Sequence, residues 1–223
     1  MKKVRGIGLL ILAVTTVVLS GCGGGSEIAF SDVEAAKEAL NTASVVSFSG
    51  DFEAVNQRTD VLADGQVAGY MEESGFLDPR WTITIDGTTW FYVKIVTDEP
   101  INENEGNVVK ATTYGFYDAN DTCLGYAQQQ AVKGQGYYNI YFLDADGNPK
   151  DYYADEDGKY IYDSEGNIIA TGTAEYDGFF SSRYCHIQIE MEKDCNTQVN
   201  FMDRMAMYFR LYRDLNDDYL NKL

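Results

Sequence analysis

The sequence is poor in the residues that most enzyme chemistry uses. Histidine occurs once in 223 residues, at His186, so a His-based metal site or triad has a single candidate. The four cysteines include no C-x-x-C pair, and neither G-x-S-x-G nor H-E-x-x-H occurs. The nucleophile elbow and the common zinc and dithiol signatures are therefore absent. Proline is limited to Pro79, Pro100 and Pro149, each in an expected connection, and neither glycine nor proline occurs after Gly178. The one long apolar run, Ile7 to Leu19, is too short to cross a bilayer comfortably as a helix. Base is scarce too, with 17 Lys and Arg against 35 Asp and Glu. Nucleic acid is a poor partner for such a surface, because binding it depends on neutralising phosphates with Lys and Arg.

What is present first is an export signal. Lys2, Lys3 and Arg5 form a positive n-region, the apolar run follows, and Leu19-Ser20-Gly21-Cys22 closes it. This segment resembles the lipobox of bacterial lipoproteins. The resemblance implies cleavage before Cys22, lipid attachment to Cys22, and an extracytoplasmic protein anchored to a bacterial membrane. Three basic residues precede Cys22, so the chain from Cys22 keeps 14 against 35 acidic ones, a formal charge of −21. Adsorption to anionic headgroups is then disfavoured, and attachment falls to the lipid. The expected organisation is a signal peptide over 1–21, a lipidated cysteine with a Gly/Ser tether over 22–29, and one β-rich domain over 30–223.

Ser31-Asp32-Val33-Glu34 reads as a capping box with Ser31 as N-cap, Phe30 as a staple on Ala35, and a short helix over about 32–42. From Val46 to Ala54 the pattern has period two, the mark of a half-buried strand. Asp64-Gly65 and Asp86-Gly87 suit type I′ hairpin turns. Asp144 to Asn148, Asp155 to Lys159 and Asp163 to Asn167 are three versions of one turn, separated by tyrosine-rich runs. Such spacing means a meander of short antiparallel strands, and it resembles tyrosine- and glycine-rich hairpin repeats of bacterial surfaces. A last strand surrounds Cys185 to Met191. A helix follows from about Thr197, with Phe201, Met205, Tyr208, Phe209, Tyr212, Leu215 and Tyr219 on one face and Arg213 on the polar side. The expected fold is α+β, predominantly antiparallel β. It is one curved sheet or meander of roughly ten strands, with a short N-terminal and a longer C-terminal helix. That order is similar to LolA/LppX-like lipoprotein carriers, and the similarity implies a sheet curved around an apolar cavity plugged by helices.

Alternation places His186 on the outward side of its strand, with Cys185 on the other side. EF-hand spacing fails at the first two acidic turns, because Phe142 and Tyr153 fall at positions 1 and 12 when Gly147 is aligned, and Tyr153 and Ser164 when Gly158 is. No metal site, cofactor or catalytic residue is expected. A Cys185–Cys195 bridge requires the strand to stop near Ile189. Otherwise Cys123 is the partner, or all three are thiols. Seventeen tyrosines remain as a signal, and Tyr152, Tyr160 and Tyr162 are the candidates for a surface platform. The functional expectation is a non-catalytic binding module meeting a glycan, peptide or envelope partner. The alternatives are a carrier of a lipid or other apolar ligand, and a carboxylate-dependent hydrolase.

Overall fold

The computed structural model describes residues 28–51, 58–75, 78–97, 108–134, 138–177, 184–193, 195 and 197–220. The lipobox and most of the tether lie outside them. A short helix, α1 (Val33–Thr42), precedes twelve strands. These are β1 (Val45–Asp51), β2 (Arg58–Ala63), β3 (Gln66–Ser74), β4 (Arg80–Ile85), β5 (Thr88–Thr97) and β6 (Val108–Asp118). They continue with β7 (Cys123–Val132), β8 (Tyr138–Leu143), β9 (Pro149–Ala154), β10 (Tyr160–Asp163), β11 (Ile168–Asp177) and β12 (Tyr184–Met191). A second helix, α2 (Phe201–Leu220), ends the described chain.

The expected open sheet of about ten strands is corrected to a closed barrel of twelve. Each strand pairs with its sequence neighbour, and β1 also pairs antiparallel with β12, from Val45 opposite Glu190 to Asp51 opposite Tyr184. Closure satisfies the edge groups that an open sheet would expose. Outward positions such as Ser49, Thr171, Glu175, Gln188 and Glu190 are polar, while Phe48, Ile187 and Ile189 face the core. A membrane-spanning barrel has the opposite alternation.

The turns form for the reasons legible in the sequence. Asp64 and Gly65 have φ of 46° and 80°, and Asp86 and Gly87 47° and 71°, the positive pair of a type I′ turn. In the acidic turns an aspartate folds the chain around its own carboxylate. Asp163 Oδ1 accepts from the Glu165 amide at 2.9 Å and the Asn167 amide at 2.8 Å. Asp144 does the same with Asp146 and Asn148. Asp118 to Thr122 is a further copy that the sequence reading passes over, because Asp121 stands in the glycine's place at φ 64°. Strand alternation puts the turns after β2, β4, β6, β8 and β10 at one end of the barrel. α1 packs at that end through buried Ala36 and Leu40.

The cap of α1 is shifted from expectation. Asp32, not Ser31, is the N-cap, accepting from the Ala35 amide at 2.9 Å. The reason is charge: a carboxylate at the positive end of a helix gains more than a hydroxyl. Ser31 donates to Asp32 instead, and Glu34 pairs with Lys37.

α2 starts at Phe201 rather than near Thr197, and it does not lie on the outside of a sheet by one face. It runs through the lumen. Phe201 lies 5.3 Å from Trp90 of β5 and 6.0 Å from Phe48 of β1 (ring centroids), and Phe209 lies 4.8 Å from Trp81 of β4. On the other side, a Cβ on Gly172 of β11 would come within 2.8 Å of Leu211. Every residue from Asp203 to Phe209 is buried, the expected polar side included. A helix buried all round belongs inside a core.

β12 continues to Met191, so the Cys185–Cys195 bridge does not form, and Cys123, Cys185 and Cys195 are all free thiols.

Candidate functional site

The two ends of α2 are built differently. At the turn end its first residues are clamped. Arg204, 1% exposed, donates to the carbonyls of Val199 at 2.9 Å and Ala43 at 2.7 Å, and a longer bond reaches that of Asn41. It therefore closes the C-terminus of α1, where free carbonyls favour a cation. Burial lowers its pKa to about 10. Asp203, 2% exposed, accepts from Lys150 Nζ at 2.7 Å and from the Tyr152 hydroxyl at 2.5 Å. Burial pushes its carboxyl up, against the pull of Lys150. All three groups are satisfied by one another, so this cluster anchors α2 and offers nothing to a ligand.

At the other end the packing opens. The aromatic side chains of α2 and the β3–β4 wall leave a cavity of about 210 Å³. Trp81, Tyr114 and Phe209 form one wall, with Tyr114 stacked on Phe209 at 5.2 Å. Tyr208 and Tyr212, stacked at 5.6 Å, form another with Met71 and Thr59. Two charges stand in the lining. Burial pushes the Tyr212 hydroxyl up to about 12, and Glu73 adds to the rise. Burial also raises Tyr114, but Arg213 and Arg210 pull it back. Glu73 stands beside Trp81 on the neighbouring strand, and Arg213 follows Tyr212 on α2. Both are exposed, and among the described ion pairs neither is joined to the other.

Beneath Tyr114 and Phe209 lies a smaller pocket of about 10 Å³, which shares Arg213 with the mouth and has Gln129 and Ile140 on its wall. It has room for about one water. Gln129 is 5% exposed, and its Nε2 has no hydrogen-bond partner. A buried amide donor left unmet costs about 1–3 kcal/mol, so this floor calls for an acceptor.

Sequence and structure place the candidate residues as follows. Cys22 lies outside the described residues. Tyr152 faces the lumen with its hydroxyl committed to Asp203, so it is not part of an outer platform. Tyr160 and Tyr162 are on the outside. Tyr162 stacks on Tyr153 at 5.6 Å, and Tyr153 meets Tyr141 at 6.1 Å, a row across β8, β9 and β10 in which the rings satisfy one another. His186 faces outward as expected, half-buried, with Nδ1 2.6 Å from Ser49 Oγ on the neighbouring strand. That contact pairs a hydroxyl with a base, and Glu175 stands opposite His186 on β11. Among the described cavities none is lined by Ser49, Glu175 or His186. Among the described residues no group of three or more His, Cys, Asp or Glu is placed to hold a metal. A depression of about 640 Å³ beside the start of β11 and the end of β12 is lined by Asp163, Glu190 and Glu192 among others and has no aromatic wall.

The sequence reading missed Glu73, Trp81, Gln129 and Arg213 as a group, since only the closed barrel brings them together. The available signal was α2 itself, whose apolar residues surround Asp203 and Arg204 on every side. No protein-family model, curated protein or solved structure matches this chain. The mouth combines apolar walls with a few polar groups, the make-up of a binding pocket.

Proposed function

We propose that this chain is a lipid-anchored extracytoplasmic binding module of a bacterial membrane, and that its ligand site is the aromatic mouth beside Trp81. The observation that carries the reading is the 210 Å³ cavity at one end of a barrel whose lumen is otherwise taken up by α2. A carrier of acyl chains is less favoured, because Phe201, Met205 and Phe209 occupy the space such a chain would need. Anchoring through Cys22 suits this site. The described chain begins at the turn end, where the Ala29 amide bonds the Val67 carbonyl at 2.8 Å. Five residues separate Cys22 from Ile28, a reach of at most about 22 Å. α2 carries Tyr212 and Arg213 roughly 17 Å from its start, so the mouth opens toward the end of the barrel away from the anchor.

The test is a thermal-unfolding screen of the full chain against glycans, peptides, amino acids and fatty acids, in parallel with Trp81→Ala. Compounds that stabilise the wild type and not the variant support the mouth. Stabilisation by fatty acids alone, indifferent to Trp81→Ala, favours the carrier.

A further inference from the structure

The mouth shows more than an apolar hole, because charges of both signs stand in its lining and an unmet donor lies in the pocket beside it. Resting on the binding role proposed above, we infer that its ligand is a small zwitterion with an apolar body, of the size and chemistry of a free apolar amino acid. Glu73, beside Trp81 in the strand register, supplies the carboxylate for an ammonium group. Arg213, shared by the mouth and the smaller pocket, supplies the cation for a carboxylate. The unpartnered Nε2 of Gln129, in the pocket that shares Tyr114, Phe209 and Arg213 with the mouth, adds a donor on the anionic side. The faces of Trp81 and Tyr212 take the apolar body.

Size and charge both narrow the class. The cavity, about 210 Å³, is below the roughly 300–1,000 Å³ of pockets for drug-sized ligands, so it suits a small molecule or one end of a larger one. A simple organic cation would gain from Glu73 and the rings but would meet Arg213. A simple carboxylate would gain from Arg213 but would meet Glu73. A molecule with both charges leaves neither side chain facing a like charge or none.

The experiment uses the full chain carrying Trp90→Phe, which leaves Trp81 as the only tryptophan. Its fluorescence is titrated with L-phenylalanine, phenethylamine, 3-phenylpropionate and benzyl alcohol. Expected is saturable binding of L-phenylalanine at least tenfold tighter than of either singly charged analogue. Glu73→Gln should weaken L-phenylalanine and phenethylamine about tenfold and leave 3-phenylpropionate unchanged or tighter. Arg213→Gln should do the reverse. Both side chains are exposed, so unchanged melting temperatures will show that the variants fold. Benzyl alcohol binding as tightly as L-phenylalanine, with neither variant having an effect, would overturn the zwitterion and keep the mouth as an apolar site. Equal affinity for phenethylamine and L-phenylalanine would make it a cation site. No saturable response to any of the four would overturn the zwitterion, and would remove the mouth as the ligand site as well.

Discussion

At the scale of single residues, carboxylates and one arginine do the work that disulfides do in many exported domains. Hydrogen bonds from Asn148 and Asn167 hold the carboxyls of Asp144 and Asp163 below the ordinary 3.8. A group whose folded pKa is depressed adds stability above its unfolded value and loses it as pH falls through the folded one. The contribution of these turns is therefore intact above about pH 4 and lost in stronger acid. Asp144→Ala with Asp163→Ala should lower the melting temperature at about pH 7 and make little difference near pH 2.5. An equal loss at both would contradict the carboxylate role. Arg204 is a different case, since it is buried and its partners are the carbonyls of Asn41 and Ala43 at the end of α1 and of Val199 just before α2. Arg204→Met leaves those acceptors unmet and should cost about 2–4 kcal/mol in denaturant unfolding.

At the scale of elements, the central fact is a helix enclosed by strands. Phe201 is fully buried against Phe48, Trp90 and Phe91, so Phe201→Ala should cost about 3–5 kcal/mol. Arg213 is exposed, and Arg213→Ala should stay within about 0.5 kcal/mol. The close approach of β11 to α2 gives a second test. A Cβ on Gly172 would meet Leu211 at 2.8 Å and the Gly158 carbonyl at 2.9 Å. Gly172→Ala should therefore cost about 1–3 kcal/mol by overpacking, whereas on the outside of a sheet it would be nearly neutral. Chemical denaturation of the three variants checks the set.

These elements were unequally legible in the sequence. The Asp-Gly turns and the period of α2 are local, and chain chemistry within a few residues decides them. The N-cap moved by one residue because Ser31 and Asp32 compete for the same amides, and the charged one prevails. The position of α2 was not legible. A stripe of apolar residues at helical spacing reads as one packed face, and only the burial of Asp203 and Arg204 reveals a lumen. The candidate site fared similarly. Tyr152 looked like a surface ring because nothing local shows that Asp203, far along the chain, takes its hydroxyl.

At the scale of the whole molecule, closure of β1 on β12 converts a meander into a container, and α2 then fills it except at one end. That closure joins segments far apart in the chain, which no periodicity encodes. The proposed anchor sets the orientation of the container. Cys22→Ala should abolish incorporation of labelled fatty acid and release the protein or strand it as the precursor. Unchanged labelling would contradict lipid attachment at Cys22. The barrel should be stable without its lipid, since its core lies within the barrel.

The central claim, that the mouth beside Trp81 is where this protein binds its ligand, is tested most directly by coupling stability to one fluorophore. The full chain carrying Trp90→Phe is titrated with small-molecule fractions of its native surroundings while melting temperature and Trp81 emission are followed together. Expected is a fraction that raises the melting temperature and shifts Trp81 emission with the same saturation midpoint. A fraction that stabilises the protein and leaves Trp81 emission unchanged would place the ligand elsewhere and contradict the claim.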